Sequence, residues 1–188
     1  MGGPLESPVD SRAERAPKLR PNFLPEKPMP IQTGDAIPSV KLMQATDEGP
    51  KEVDTAAILG SGTAVLFGVP GAFTPTCSAK HLPGFVQQAA ALKAKGVDTV
   101  ACVAVNDAFV MAAWGREQGV NGEVTMLADG SANFIKALGL EMDLTARGMG
   151  VRSQRFALIA KDGKVTYVGV EQPGAFEVSS AETVLAKL

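Results

Sequence analysis

The chain has one histidine, two cysteines, one tryptophan and one tyrosine in 188 residues. Each scarcity closes off a class of function. Two cysteines are too few for the disulfide framework of a small secreted scaffold, so a reducing, cytoplasmic setting is expected. One histidine beside two cysteines is a poor donor set for a metal centre. No apolar run is long enough to span a bilayer, so no membrane association is expected. Excess charge of one sign is missing as well. A formal net charge of −2 gives no reason to expect a nucleic-acid partner. What is there is ordinary for a globular chain: 45% apolar residues, 20% charged residues and a length that suits one domain with a tail.

Residues 1–30 form that tail. They are rich in proline and charge and lack periodicity, which reads as a flexible arm. The arm has no apolar core of the secretory kind, and Glu6, Asp10, Glu14 and Glu26 argue against a transit peptide. A plain extension is the first reading; an organelle-targeting segment is the alternative. Residues 31–188 make up the folded domain.

Within the domain, Gly34 to Met43 reads as a turn leading into a short edge strand, and Val53 to Leu59 as a short helix. Thr63-Ala64-Val65-Leu66-Phe67 is a buried strand. A helix over Pro75 to Lys95 follows, with Leu82, Phe85, Val86, Ala89 and Ala90 on one face and a kink at Pro83. Asp98 to Val105 is apolar enough to be buried on both sheet faces, which makes a βαβ unit. Then come a helix over Ala108 to Gln118, a strand over Val124 to Leu127 and a helix over Ser131 to Leu138. Strands over Gln154 to Ala160 and Lys164 to Val170 are joined by an Asp162-Gly163 turn. A capping box at Ser179-Ser180-Ala181-Glu182 opens the last helix. This order predicts an α/β domain of thioredoxin-like type, a central mixed sheet flanked by helices.

The stretch that organises the rest is Gly68-Val69-Pro70-Gly71-Ala72-Phe73-Thr74-Pro75-Thr76-Cys77. Gly and Pro turn the chain after the strand, Thr74 suits an N-cap, and Pro75 suits the first helical position. Cys77 then lies in the first helical turn, where unpaired backbone N–H groups favour a thiolate. A helix end together with a nearby cation brings a cysteine pKa down to about 3.5–7.5. Arg155 and Arg152, after the glycine-rich Arg147-Gly148-Met149-Gly150 loop, are the candidate cations. A thiolate among clustered donors with no evident general base suits attack on a peroxide O–O bond, giving a sulfenic acid that a second thiol must reduce.

Pro70-Gly71-Ala72-Phe73-Thr74-Pro75-Thr76-Cys77 resembles the Pro-x-x-x-Thr-x-x-Cys motif of peroxiredoxins. The longer run from Gly68 to Phe85 is similar to the type II subfamily, that of peroxiredoxin 5 and its plant, fungal and bacterial relatives. The likeness continues through Val105 to Val110, Leu127 to Ser131, Arg155 to Leu158 and Phe176 to Ala181. It implies a thiol-specific peroxidase acting on hydrogen peroxide and alkyl hydroperoxides, in antioxidant defence and redox homeostasis. It assigns Cys77 as the peroxidatic nucleophile and Thr74 as the hydroxyl touching thiolate and peroxide. Pro70 becomes the shield against water, and Arg155, rather than Arg152, the active-site cation. It also implies no metal, flavin or other cofactor, an external reductant (glutathione with glutaredoxin, or thioredoxin), and a homodimer.

Cys102, twenty-five residues after Cys77, has the spacing of the second cysteine of plant-like members, for which a resolving role is implied. The region from Phe176 to Ser179 has no cysteine, so the animal arrangement is excluded. Strand geometry places Cys102 about 10 Å below the sheet rim, while a disulfide needs Cα atoms within about 7 Å. Pairing therefore requires local unfolding, and a small buried core thiol is the competing reading. His81, four residues after Cys77, is expected to pack or hydrogen-bond near the site rather than act as a base or ligand. Trp114, with Met111 and Phe109, reads as core or interface. Two other functions are weighed. A thiol-disulfide oxidoreductase would want a second Cys in Cys77-Ser78-Ala79-Lys80. A non-catalytic redox sensor or scaffold would keep Cys77 without needing turnover.

Overall fold

The computed structural model describes residues 2–3 and 28–188. The arm expected over residues 1–30 lies mostly outside the described residues. Among those described, no helix is long and apolar enough to cross a membrane.

The strands are β1 (Lys41–Thr46), β2 (Gly49–Asp54), β3 (Thr63–Val69), β4 (Thr99–Ala104), β5 (Thr125–Ala128), β6 (Glu141–Leu144), β7 (Gly150–Ser153), β8 (Phe156–Lys161) and β9 (Lys164–Val170). The α-helices are α1 (Thr55–Leu59), α2 (Leu82–Ala94), α3 (Ala108–Glu117), α4 (Asn133–Ala137) and α5 (Ala181–Lys187). Seven strands form one mixed sheet in the order β2-β1-β5-β4-β3-β8-β9, and β6 and β7 form a separate hairpin. The β3–β4 and β4–β5 pairs are parallel; the other pairs in the sheet are antiparallel. The expected thioredoxin-like α/β architecture is the one observed.

Alternation along the central strands makes two cores. Val65, Phe67 and Val69 of β3 and Val100, Cys102 and Ala104 of β4 face one side, with Phe85 of α2, Trp114 of α3 and Val184 of α5. Ala64, Leu66, Ala101 and Val103 face the other, with Leu59 of α1 and Phe134 of α4. Phe67 and Phe85 stack at 4.0 Å with rings 6° apart, fixing α2 on β3. Gly68 is required on the opposite face. A Cβ there would stand 2.0 Å from the Phe156 ring.

Several expectations are corrected. The strand after Gly34 is not an edge: β1 lies between β2 and β5. The edge is β2, a strand that was not anticipated. Pro50 and the charged Lys51 and Glu52 hide its strand character in the sequence, and both features suit an exposed edge. The helix expected over Val53 to Leu59 is therefore only Thr55–Leu59, capped by the Asp54 carboxylate accepting from Ala56 N. The last helix is capped one residue later than the capping box implied. Ser180 accepts from Thr183 N, leaving Ser179 buried for other use. On α2, Ala90 is exposed and Leu92 takes its place in the buried stripe. The β6–β7 hairpin was not anticipated. The Asp162-Gly163 turn is as expected, with φ of 49° and 77° suiting a primed two-residue turn.

Candidate active site

β3 ends at Val69 and delivers the chain to the rim of the sheet, where Pro70 is half-buried. The loop that follows is tied to the end of β4: Ala72 N donates to Asn106 Oδ1 at 2.9 Å. Phe73 takes a left-handed φ of 60°, a costly conformation for a residue with a side chain. Helical structure covers residues 75–94, but its second turn is a π turn over Cys77–His81, in which Leu82 N donates to Cys77 O. A kink was expected at Pro83; a π turn stands just before it, and Pro83 lies in the first turn of α2. A π turn is one of the recognised ways a helix bends, and it commonly marks functional positions.

Thr74 does not cap the helix. Its hydroxyl donates to Gly71 O at 2.8 Å, and its carbonyl accepts from Ser78 N at 3.0 Å. Cys77 is fully buried and is a free thiol. Its Sγ accepts from Arg155 Nη2 at 3.3 Å. Of the two candidate arginines, the structure puts Arg155, immediately before β8, on the sulfur. Arg152 belongs to the β6–β7 hairpin, where its Nε donates to Met149 O at 2.8 Å. Its Nη1 lies 2.8 Å from where a Gly71 Cβ would stand, so Arg152 lies against the loop backbone.

The other terminal nitrogen of Arg155 donates to His81 Nδ1 at 3.0 Å. A guanidinium only donates, so Nδ1 is the acceptor and the ring proton sits on Nε2, which donates to Ser179 O at 3.0 Å. Burial, reinforced by the Arg155 charge and partly opposed by the Ser179 bond, pushes the His81 pKa down to about 3. His81 is neutral at physiological pH, and both its nitrogens are engaged. It is no general base for Cys77; it holds Arg155. The Phe176 ring closes over the pair, 6.0 Å from the guanidinium carbon and edge-on to His81 at 5.1 Å. The support role of His81 was legible only as proximity to Cys77. The Ser179 contact is a backbone carbonyl and left no side-chain signal in the sequence.

Cys102 pairs with Phe67 in the β3–β4 ladder and shares the core on the Cys77 side of the sheet. Burial, then the nearness of Cys77, pushes its thiol pKa up. It is a free, protonated core thiol in this conformation. Trp114 is buried with its indole N–H on Ser78 Oγ at 2.9 Å, and Met111 is buried as well, while Phe109 is exposed. Among the described residues, no three His, Cys, Asp or Glu side chains are grouped to hold a metal. The arrangement is a buried sulfur with a fixed positive charge beside it, suited to a thiolate and to a leaving oxyanion.

The Redoxin family model matches residues 32–185. Rice Peroxiredoxin-2C is 48% identical over 160 residues, which cover 85% of this chain and 99% of the relative. Peroxiredoxin-2B of Arabidopsis thaliana is 49% identical with the same coverage. The crystal structure of reduced Prx3 from Vibrio vulnificus in complex with hydrogen peroxide superposes with a TM-score of 0.79. It is 54% identical, covering 83% of this chain and 98% of that one.

Proposed function

The chain belongs to the Redoxin family and, within it, to the type II peroxiredoxins, thiol peroxidases of antioxidant defence; on that premise we propose that Cys77 is the nucleophile that reduces hydrogen peroxide and small alkyl hydroperoxides. The observation that carries the assignment is the 3.3 Å contact between Arg155 and the buried Cys77 sulfur.

In the first step the Cys77 thiolate attacks one peroxide oxygen. An S–O bond forms, the O–O bond breaks, and sulfur supplies the electron pair. The hydroxide or alkoxide that leaves takes up a proton and departs as water or alcohol, and Cys77 is left as sulfenic acid. Arg155 stabilises first the thiolate and then the negative charge growing on the leaving oxygen. Thr74, held by Gly71 O, orients the peroxide, and Pro70 limits water at the sulfur. In the second step a thiol displaces the sulfenic oxygen as water and forms a disulfide with Cys77. A further thiol then releases reduced Cys77.

The burial and raised pKa of Cys102 support an external resolving thiol, glutathione cleared by a glutaredoxin, or thioredoxin, over Cys102 itself. The chemistry needs no metal or organic cofactor. The working unit in this reading is a homodimer in the cytoplasm, unless residues 1–30 direct the chain to an organelle. Peroxide consumption with each reductant tests the proposal. Turnover should require Cys77 and survive Cys102→Ser; equal activity in Cys77→Ser would overturn it.

A further inference from the structure

The contacts that hold Arg155 do not end at His81. Ser179, whose carbonyl receives the His81 proton, lies in the loop between β9 and α5. One carboxylate oxygen organises that loop. Glu171 Oε1 accepts from Glu177 N at 2.7 Å and from Ser179 N and Ser179 Oγ, both at 2.8 Å. Glu171 is only 8% exposed. Its own backbone N–H donates to Arg155 O at 2.9 Å, so one residue grips both the main chain of Arg155 and the loop that supports its side chain. The loop lies directly on β9. Tyr167 Oη donates to Val178 O at 2.7 Å, and a Cβ on Gly169 would stand 2.5 Å from that same carbonyl. Phe176, from the middle of the loop, reaches both Arg155 and His81.

A buried carboxylate costs stability unless its oxygens are hydrogen-bonded. Three donors on one oxygen supply that compensation, and all three close the same loop. Packing would have been met by an apolar side chain at this position. What the carboxylate adds is a fixed place for the Ser179 carbonyl, which selects the Nε2–H form of His81 and leaves Nδ1 as acceptor for Arg155.

We propose that Glu171 is a positioning residue for the peroxide step: its carboxylate locks the loop over residues 172–180 so that Ser179 and His81 hold Arg155 on the Cys77 sulfur. This rests on the peroxidase reading of the site. Reach matters in this arrangement more than charge. A glutamine at 171 presents an oxygen at the same place, and an aspartate, with one methylene fewer, does not.

The test uses the full chain with Glu171→Gln, Glu171→Asp and Glu171→Ala. It measures the second-order rate of Cys77 oxidation by hydrogen peroxide and the pH profile of Cys77 alkylation by iodoacetamide. The expected result is Glu171→Gln within threefold of wild type. Glu171→Asp and Glu171→Ala should be at least tenfold slower with peroxide, with the alkylation profile moved to higher pH. In an Arg155→Ala background none of the three should have a further effect on either readout. Should Glu171→Ala fail to fold, the Asp and Gln variants decide between them. Wild-type rates and profiles in Glu171→Asp, losses in Glu171→Gln as large as in Glu171→Asp, or undiminished effects without Arg155 would each overturn the inference. Absence of peroxide oxidation in the wild type would count against the peroxidase reading instead, while the alkylation profiles would still judge Glu171.

Discussion

Arg155 divides its guanidinium between the Cys77 sulfur and a neutral histidine, and the residue-scale predictions follow from that division. A hydrogen bond to a charged group contributes about 1.5–3 kcal/mol, and each 1.36 kcal/mol at the transition state is about tenfold in rate. Arg155→Ala should therefore slow the peroxide step about 100-fold. Arg152→Ala, which loses a bond to Met149 O and a contact with the loop, should slow it only severalfold. Stopped-flow oxidation measures both, and equal losses would undo the assignment. His81 gives a second prediction. Its folded pKa, about 3, lies below the unfolded value near 6.5. Above pH 6.5 both states are neutral there and nothing is lost. Between 6.5 and 3 the unfolded chain binds a proton that the folded chain does not, so stability falls as the pH falls, by up to about 1.4 kcal/mol per pH unit. Urea unfolding at pH 6.5 and pH 5 should show this loss in wild type and a smaller one in His81→Gln.

At the scale of elements, sequence patterns located most of the structure where propensity and burial agree. The apolar β3 and β4, the Asp107-capped α3 and the Asp162-Gly163 hairpin were legible for that reason. The misses have a common cause, tertiary contacts overriding local signals. β2 is a strand because β1 pairs with it, although Gly49, Pro50, Lys51 and Glu52 are poor strand formers. Thr74 looks like an N-cap, but its hydroxyl turns back to Gly71, and the next turn widens so that both Cys77 and His81 reach Arg155. Gly68 offers a test at this scale. A methyl group there collides with Phe156 across the β3–β8 ladder, an overpacking of the kind that costs about 1–3 kcal/mol. Gly68→Ala should lower the urea midpoint accordingly; an unchanged midpoint would mean that the two strands part easily.

At the scale of the whole molecule, the sheet order brings together residues that are far apart in the chain. Cys77 follows β3, Arg155 precedes β8, and β3 and β8 are neighbours, so 78 residues of separation close to a 3.3 Å contact. Cys77, the proposed nucleophile, was singled out by its motif, and Arg155, found on its sulfur, by the family likeness rather than by the residues alone. The Ser179 carbonyl and Glu171 were not: the first is a main-chain acceptor, and the Glu171 carboxylate meets backbone and hydroxyl donors whose positions depend on how the loop folds. The exposed aromatic rings of Phe73 and Phe109 belong to segments joined by the Ala72–Asn106 bond, and they suit the proposed homodimer face. Phe109→Glu should convert a dimer to a monomer in sedimentation velocity; an unaltered dimer would place the interface elsewhere.

The most direct measurement is the intact mass of the protein after one equivalent of hydrogen peroxide, with and without glutathione, for wild type, Cys77→Ser and Cys102→Ser. The expected result is one added oxygen on Cys77, replaced by a glutathione adduct when the thiol is present, in both wild type and Cys102→Ser, and no change in Cys77→Ser. An unmodified Cys77, or oxidation that persists in Cys77→Ser, would contradict it.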